Sequence, residues 1–157
     1  MLNIGENIPS AVKLTAIDCT LVSLESFLGQ YLVIFFYPKD DTVGCTVEAC
    51  ELRDYNIEIE KLGVKIIGIS KDPVNSHKKF IDKHKLNYTL LSDPEAVSMK
   101  AFGIWSEKKF MGRVYMGANR ATFIIDPDGK IVHVWENVMP LGHGKQVFEF
   151  LKEALAK

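Results

Sequence analysis

Cysteine is scarce in this chain, with only Cys19, Cys45 and Cys50 among 157 residues. Three thiols, an odd number, cannot form the dense disulfide framework that staples small secreted domains. Charge of one sign is missing as well: 19 Lys and Arg face 20 Asp and Glu, a formal net charge of −1. Without a basic excess there is little counterion release to drive binding to a polyphosphate, so no nucleic-acid partner is expected. Long apolar runs are absent too. The longest, over 31–37, falls far short of the roughly 20 residues that span a bilayer, and Pro38 and Lys39 end it. No cationic segment followed by an apolar stretch opens the chain, so a cytoplasmic protein with no membrane association is expected. Nor does any repeat, low-complexity tract or Pro/Gly/Ser-rich linker divide it, and one domain over 1–157 is the simplest expectation.

What is present is ordinary for a buried core, with 47% hydrophobic residues and apolar segments recurring from Val12 to Leu155. Alternation over 13–17, a turn at Asp18-Cys19-Thr20 and a second short strand through Leu24 predict an N-terminal β-hairpin. The run over 31–37 is rich in β-branched and aromatic residues, the pattern of a strand covered on both faces. Val47, Cys50, Leu52, Tyr55, Ile59 and Leu62 then recur at helical spacing, and Gly63 suits a helix C-cap, predicting a helix from 42 or 44 to 62. A buried strand over 64–70 follows, with Asp72 as N-cap and Pro73 as first residue of a helix reaching 85. A short strand over 88–91, a helix over 94–102, two strands over 122–125 and 130–135 joined by Asp126-Pro127-Asp128-Gly129, and a last helix over 145–155 complete the pattern. Strands alternating with helices give an α/β fold: a central mixed β-sheet flanked by helices, with an N-terminal β-hairpin.

Chemistry concentrates between the buried strand and the first long helix, in Pro38-Lys39-Asp40-Asp41-Thr42-Val43-Gly44-Cys45-Thr46-Val47-Glu48-Ala49-Cys50. The crevice outside a strand's carboxyl end is where open α/β sheets bind ligands, and the helix N-terminus that follows offers free N–H donors and a partial positive charge. A cysteine there is favoured as thiolate, the reactive species. Five positions along an intact helix separate Cα atoms by about 8–9 Å. A disulfide needs them within about 7 Å. If Cys45 and Cys50 pair, the first turns of the helix must unwind. Zinc is not expected: a structural site wants four ligands, no second cysteine pair exists, and His77, His84, His133 and His143 are scattered. A thioredoxin-type Cys-x-x-Cys is absent.

These residues match a known family. Pro38-x-x-x-Thr42-x-x-Cys45 resembles the peroxiredoxin active-site signature, and Cys50 resembles the resolving cysteine of the peroxiredoxin Q group, also called bacterioferritin comigratory proteins. Further matches are Leu91-Ser92-Asp93-Pro94, the stretch from Trp105 through Phe110 and Met111 to Gly112, and Asn119-Arg120-Ala121-Thr122-Phe123-Ile124-Ile125-Asp126. One departure is visible, since the group usually has Pro before the Gly-Cys pair where this chain has Val43. The resemblance implies a thioredoxin-like fold and a thiol peroxidase needing no metal and no cofactor. It implies Cys45 as peroxidatic cysteine, Cys50 as resolving cysteine, and Thr42 and Arg120 as groups polarising the peroxide. Pro38 is implied as a shield for the thiolate and Glu48 as the acid that orients Arg120. The implied partners are a hydroperoxide substrate and thioredoxin or glutaredoxin as reductant, with a monomer preferred over a dimer because both cysteines lie in one chain. Trp105 and Phe110 are candidates for the pocket rim, and Cys19 has no implied role. The rival readings are a protein thiol–disulfide oxidoreductase and a redox-sensing binding module.

Overall fold

The computed structural model describes residues 1–156. Its main sheet has seven strands. In chain order they are β1 (Lys13–Thr15), β2 (Leu21–Ser23), β3 (Tyr31–Phe36), β4 (Val64–Ser70) and β5 (Thr89–Ser92), with β8 (Ala121–Ile125) and β9 (Ile131–Trp135) after a separate hairpin. They are arranged β2-β1-β5-β4-β3-β8-β9. β3, β4 and β5 run parallel, as their helical crossovers require, while β1, β8 and β9 join antiparallel. The N-terminal hairpin closes through a turn in which Cys19 takes a positive φ of 69°.

Both faces of the sheet are covered, and β3 shows how. Leu32, Ile34 and Phe36 enter one core with Met99 and Phe102 of α3 (Val97–Phe102). Val33, Phe35 and Tyr37 enter the other, built with α1 (Val43–Lys61), α2 (Val74–His84) and α4 (His143–Ala154). Successive side chains of a strand point to opposite faces, so an unbroken apolar run is what a doubly covered strand needs. α1 and α4 meet closely at Gly144, where a Cβ would lie 2.7 Å from the Glu51 carbonyl oxygen. Among the described residues no helix is long and apolar enough to cross a membrane.

Three local expectations are corrected. Pro73 is the N-cap of α2 rather than its first helical residue, with extended ψ of 163°. Asp72 instead accepts from the Asp40 amide and the Ser70 hydroxyl. α3 begins three residues later than the apolar pattern indicates, because Ala96 turns left-handed at φ 56° and the Asp93 carboxylate accepts from the Val97 and Met99 amides. Third, the stretch that carried no predicted strand forms a two-stranded sheet, β6 (Trp105–Phe110) with β7 (Arg113–Ala118). Its turn residues Met111 and Gly112 have φ of 50° and 77°, the two positive values of a tight hairpin. Asn or Asp would have signalled that turn; Met does not.

Candidate active site

The chain leaves β3 through Tyr37, Pro38 and Lys39, outside the carboxyl end of the parallel strands. Thr42 is the extended N-cap of α1, so Val43, Gly44 and Cys45 make its first turn. Amides of that turn have no acceptor inside the helix and form the positive end of its dipole. Cys45 is 1% exposed and packs into the core beneath α1.

Register brings Arg120 to this turn from 75 residues away. β8 runs antiparallel to β3 with Ala121 opposite Phe36, so the residue just before β8 stands at the edge where β3 releases the Cys45 loop. Arg120 Nη2 donates to Cys45 Sγ at 3.2 Å, and Nη1 donates to Glu48 Oε1 at 2.7 Å. Gly44 leaves room for this, since a Cβ there would lie 3.3 Å from Arg120 Nη2. The guanidinium is therefore held by a carboxylate on one side and offered to sulfur on the other, a use of its planar fork that an ammonium cannot copy.

Glu48 follows Cys45 by one helical turn and is completely buried. Its second oxygen has no hydrogen-bond partner among the described residues. Burial pushes its carboxyl up to about 7, against the opposing pull of the Arg120 charge.

The remaining candidates are arranged less tightly. Thr42 is exposed, and its hydroxyl donates to the Lys39 carbonyl at 3.1 Å rather than to Cys45. Pro38, also exposed, lines a cavity of about 360 Å³ with Lys39, Lys71, Trp105, Lys108 and Tyr115. Trp105 thus belongs to the rim of that cavity, whereas Phe110 is 66% exposed at the hairpin end. Cys50 is partly exposed, both it and Cys45 are free thiols, and α1 is intact across them. Cys19 is exposed on the hairpin turn.

Two contributions escaped the sequence pattern. The Cys45 loop is tied to α2 by the buried Asp40 carboxylate, which accepts from the Tyr37 hydroxyl at 2.5 Å and the Ser76 hydroxyl at 2.8 Å and lies 2.7 Å from His77 Nδ1. Asp41, at φ 59°, is held by Lys83 and His84, which keep its carboxyl below the ordinary value. Lys108 is the second: burial, together with the nearby Arg120 charge, holds its ammonium below the usual lysine range. Its sequence signal was its place in the stretch from Trp105 to Gly112 that resembles the family, which gave it no role of its own.

A thioredoxin-like α/β sandwich with a buried thiol at a helix N-terminus, faced by an arginine, defines the class of thiol-based redox proteins. The chain belongs to the AhpC/TSA family, whose model matches residues 4–134. It is 46% identical to Peroxiredoxin Bcp of Escherichia coli (strain K12) over 136 residues, 87% of each chain. Against Peroxiredoxin Bcp of Bacillus subtilis (strain 168) it is 38% identical over 156 residues, 99% of each. Among solved structures, a Xylella fastidiosa PrxQ mutant superposes with a TM-score of 0.92 at 32% identity, covering 100% of this chain and 99% of that one. A Xanthomonas campestris bacterioferritin comigratory protein, studied for alkyl peroxide reduction, superposes with a TM-score of 0.89 at 34% identity over 98% and 99%.

Proposed function

We propose that the protein is a thiol peroxidase in which Cys45 reduces a hydroperoxide and Cys50 resolves the product. The single observation that carries this reading is the Arg120 guanidinium donating to the Cys45 sulfur while fixed by buried Glu48. The Cys45 thiolate attacks the terminal peroxide oxygen, forming an S–O bond as the O–O bond breaks, and the departing oxygen takes a proton to leave as water or alcohol. Negative charge moves from sulfur to oxygen in that displacement. A prepositioned guanidinium beside the sulfur and first-turn amides meet both charges with little reorganisation.

Cys50 then attacks the Cys45 sulfenic acid to give an intramolecular disulfide and water. α1 is helical through both cysteines, so this step needs its first turns to unwind. An external dithiol, for which we propose thioredoxin, returns both thiols to the reduced state. A resolving cysteine within the same chain is consistent with a working monomer. The need for a dithiol donor fits a reducing cytoplasm.

Peroxide consumption measured with thioredoxin, its reductase and the nicotinamide reductant tests the reading. Turnover is expected for the wild type, none for Cys45→Ser, and loss of the disulfide with retained single oxidation for Cys50→Ser. Absence of peroxide-dependent turnover with thioredoxin, glutaredoxin and a small dithiol alike would defeat it, and disulfide reduction without peroxide use would favour a thiol–disulfide oxidoreductase.

A further inference from the structure

Cys50 has its own arginine. Arg53, one helical turn further along α1, points Nη1 at the Cys50 sulfur at 3.6 Å, and the same nitrogen donates to the His84 carbonyl at 2.6 Å. Its other two nitrogens face Asp54, whose Oδ1 accepts from Nε at 3.0 Å and from Nη2 at 2.9 Å. We infer that Arg53 is a catalytic residue of the second half-reaction, its guanidinium donating toward the Cys50 sulfur as that sulfur attacks the Cys45 sulfenic acid. This role rests on the resolving function proposed for Cys50.

The groups that face Cys50 leave that donor to the sulfur. Charged and titratable groups around Cys50 are Arg53, Asp54, Glu48 and Glu51 on α1, His84 at the end of α2 and Tyr88 before β5. The Tyr88 hydroxyl donates to the Ala49 carbonyl at 2.8 Å, and burial raises its phenol well above the ordinary range, so it stays neutral. Asp54 uses the far side of the guanidinium, His84 offers Arg53 only its carbonyl, and the two glutamates are spent on Arg120 and on the Gly142 and Gly144 amides. The cation in direct contact with the sulfur is Arg53.

Arg53 also keeps its place when the helix start does not. Its carbonyl accepts from Asn87 Nδ2 at 3.3 Å, and Asn56 Nδ2 donates to the Asn87 carbonyl at 2.9 Å. With the His84 bond, these pins hold α1 from Arg53 onward against the 84–88 segment while residues 45–50 unwind. In the reaction a sulfur lone pair of Cys50 forms the S–S bond and the S–O bond of Cys45 breaks. The Cys45 sulfur is reduced from sulfenic to disulfide level, the Cys50 thiolate is oxidised, and the hydroxide released takes a proton from solvent.

In a Cys45→Ser background, iodoacetamide labelling read peptide by peptide gives the Cys50 rate, with exposed Cys19 as internal reference. Arg53→Met is expected to lower Cys50 labelling at pH 7 about fivefold, the scale of one partly exposed charge pair. Arg53→Lys is expected to recover most of the rate. With Cys45 restored, one equivalent of hydrogen peroxide should give Arg53→Met a disulfide that forms several-fold more slowly relative to Cys45 oxidation, and more Cys45 sulfinic acid at excess peroxide. Equal Cys50 labelling in wild type and Arg53→Met overturns the role, as does a Lys variant no better than Met, which marks a purely structural arginine. If wild type itself yields no Cys45–Cys50 disulfide, the failure lies with the proposed function and removes this role with it.

Discussion

The two halves of α1 are held by different physics. Over 43–51 the buried side chains are small or charged, Cys45, Ala49 and Glu48, and the tertiary ties are polar. They comprise the Arg120 contacts, the Glu51 carboxylate accepting from the Gly142 and Gly144 amides at 2.7 and 3.1 Å, and the Tyr88 hydroxyl on Ala49. Over 52–61 the helix instead buries Leu52 and Ile59 completely and adds the Arg53 and Asn56 bonds to 84–88. Polar ties contribute about 1 kcal/mol each net of water, whereas a buried leucine contributes roughly 2 kcal/mol or more. A half secured by exchangeable polar contacts can open while the other stays folded, which is what pairing Cys45 with Cys50 demands.

Leu52→Ala strikes the apolar half and carries the largest expected effect. It should cost about 3 kcal/mol or more in global stability by urea denaturation, because the fully buried site leaves a cavity. A loss under about 1 kcal/mol would erase the contrast between the halves.

Arg120→Met strikes the polar half. Stopped-flow peroxide consumption should fall by about 100-fold or more, as for loss of a preorganised charge donor, while circular dichroism stays native. Hydrogen exchange over 43–51 should quicken in this variant and remain slow over 52–61.

Glu48→Gln tests the electrostatic cost carried by the polar half. The Glu48 carboxyl is raised to about 7 in the fold, above its ordinary range near 4.5, so between those values the folded state binds the extra proton. Stability of the wild type should therefore fall as pH rises from about 4.5 to about 7 and then level, by a few kcal/mol at most. The Gln variant should lack that slope in denaturation run at pH 5 and pH 8. An unchanged slope would show that Arg120 keeps Glu48 ionised throughout.

Val43→Pro is the smallest change and sharpens the comparison most. Val43 is 86% exposed as the first residue of α1, and Thr42 before it is already extended at ψ 159°, the conformation proline requires of its predecessor. The substitution should stabilise the reduced form by about 0.5 kcal/mol and slow disulfide formation about twofold, by lowering the entropy of the unwound segment. Acceleration would mean that unwinding of the first turn does not limit resolution.

Much of this was legible from spacing. The doubly apolar run over 31–37, the helical recurrence from Val47 to Leu62 and the strand over 64–70 each repeat a local period strong enough to fix an element. So did the placement of Cys45 at a strand-to-helix turn. The β6–β7 hairpin was not legible, because its turn uses Met111 at positive φ and its strands are mostly exposed, leaving no apolar alternation to read. The start of α3 was displaced by a single left-handed residue, Ala96, in place of the glycine or asparagine that would have announced it.

By itself the sequence determined the α/β order, the position of Cys45 at the head of a helix, and the five-residue spacing that no intact helix can bridge with a disulfide. These follow from backbone periodicity and covalent geometry, which act locally. The tertiary structure decided how Arg120 reaches Cys45 and what holds Arg53 in place beside Cys50. Arg120 reaches Cys45 because antiparallel register sets Ala121 beside Phe36, and Arg53 is fixed at Cys50 because the end of α2 supplies the His84 carbonyl. Contacts of that kind depend on strand pairing and helix docking between distant segments, so they come into being only when the sheet closes.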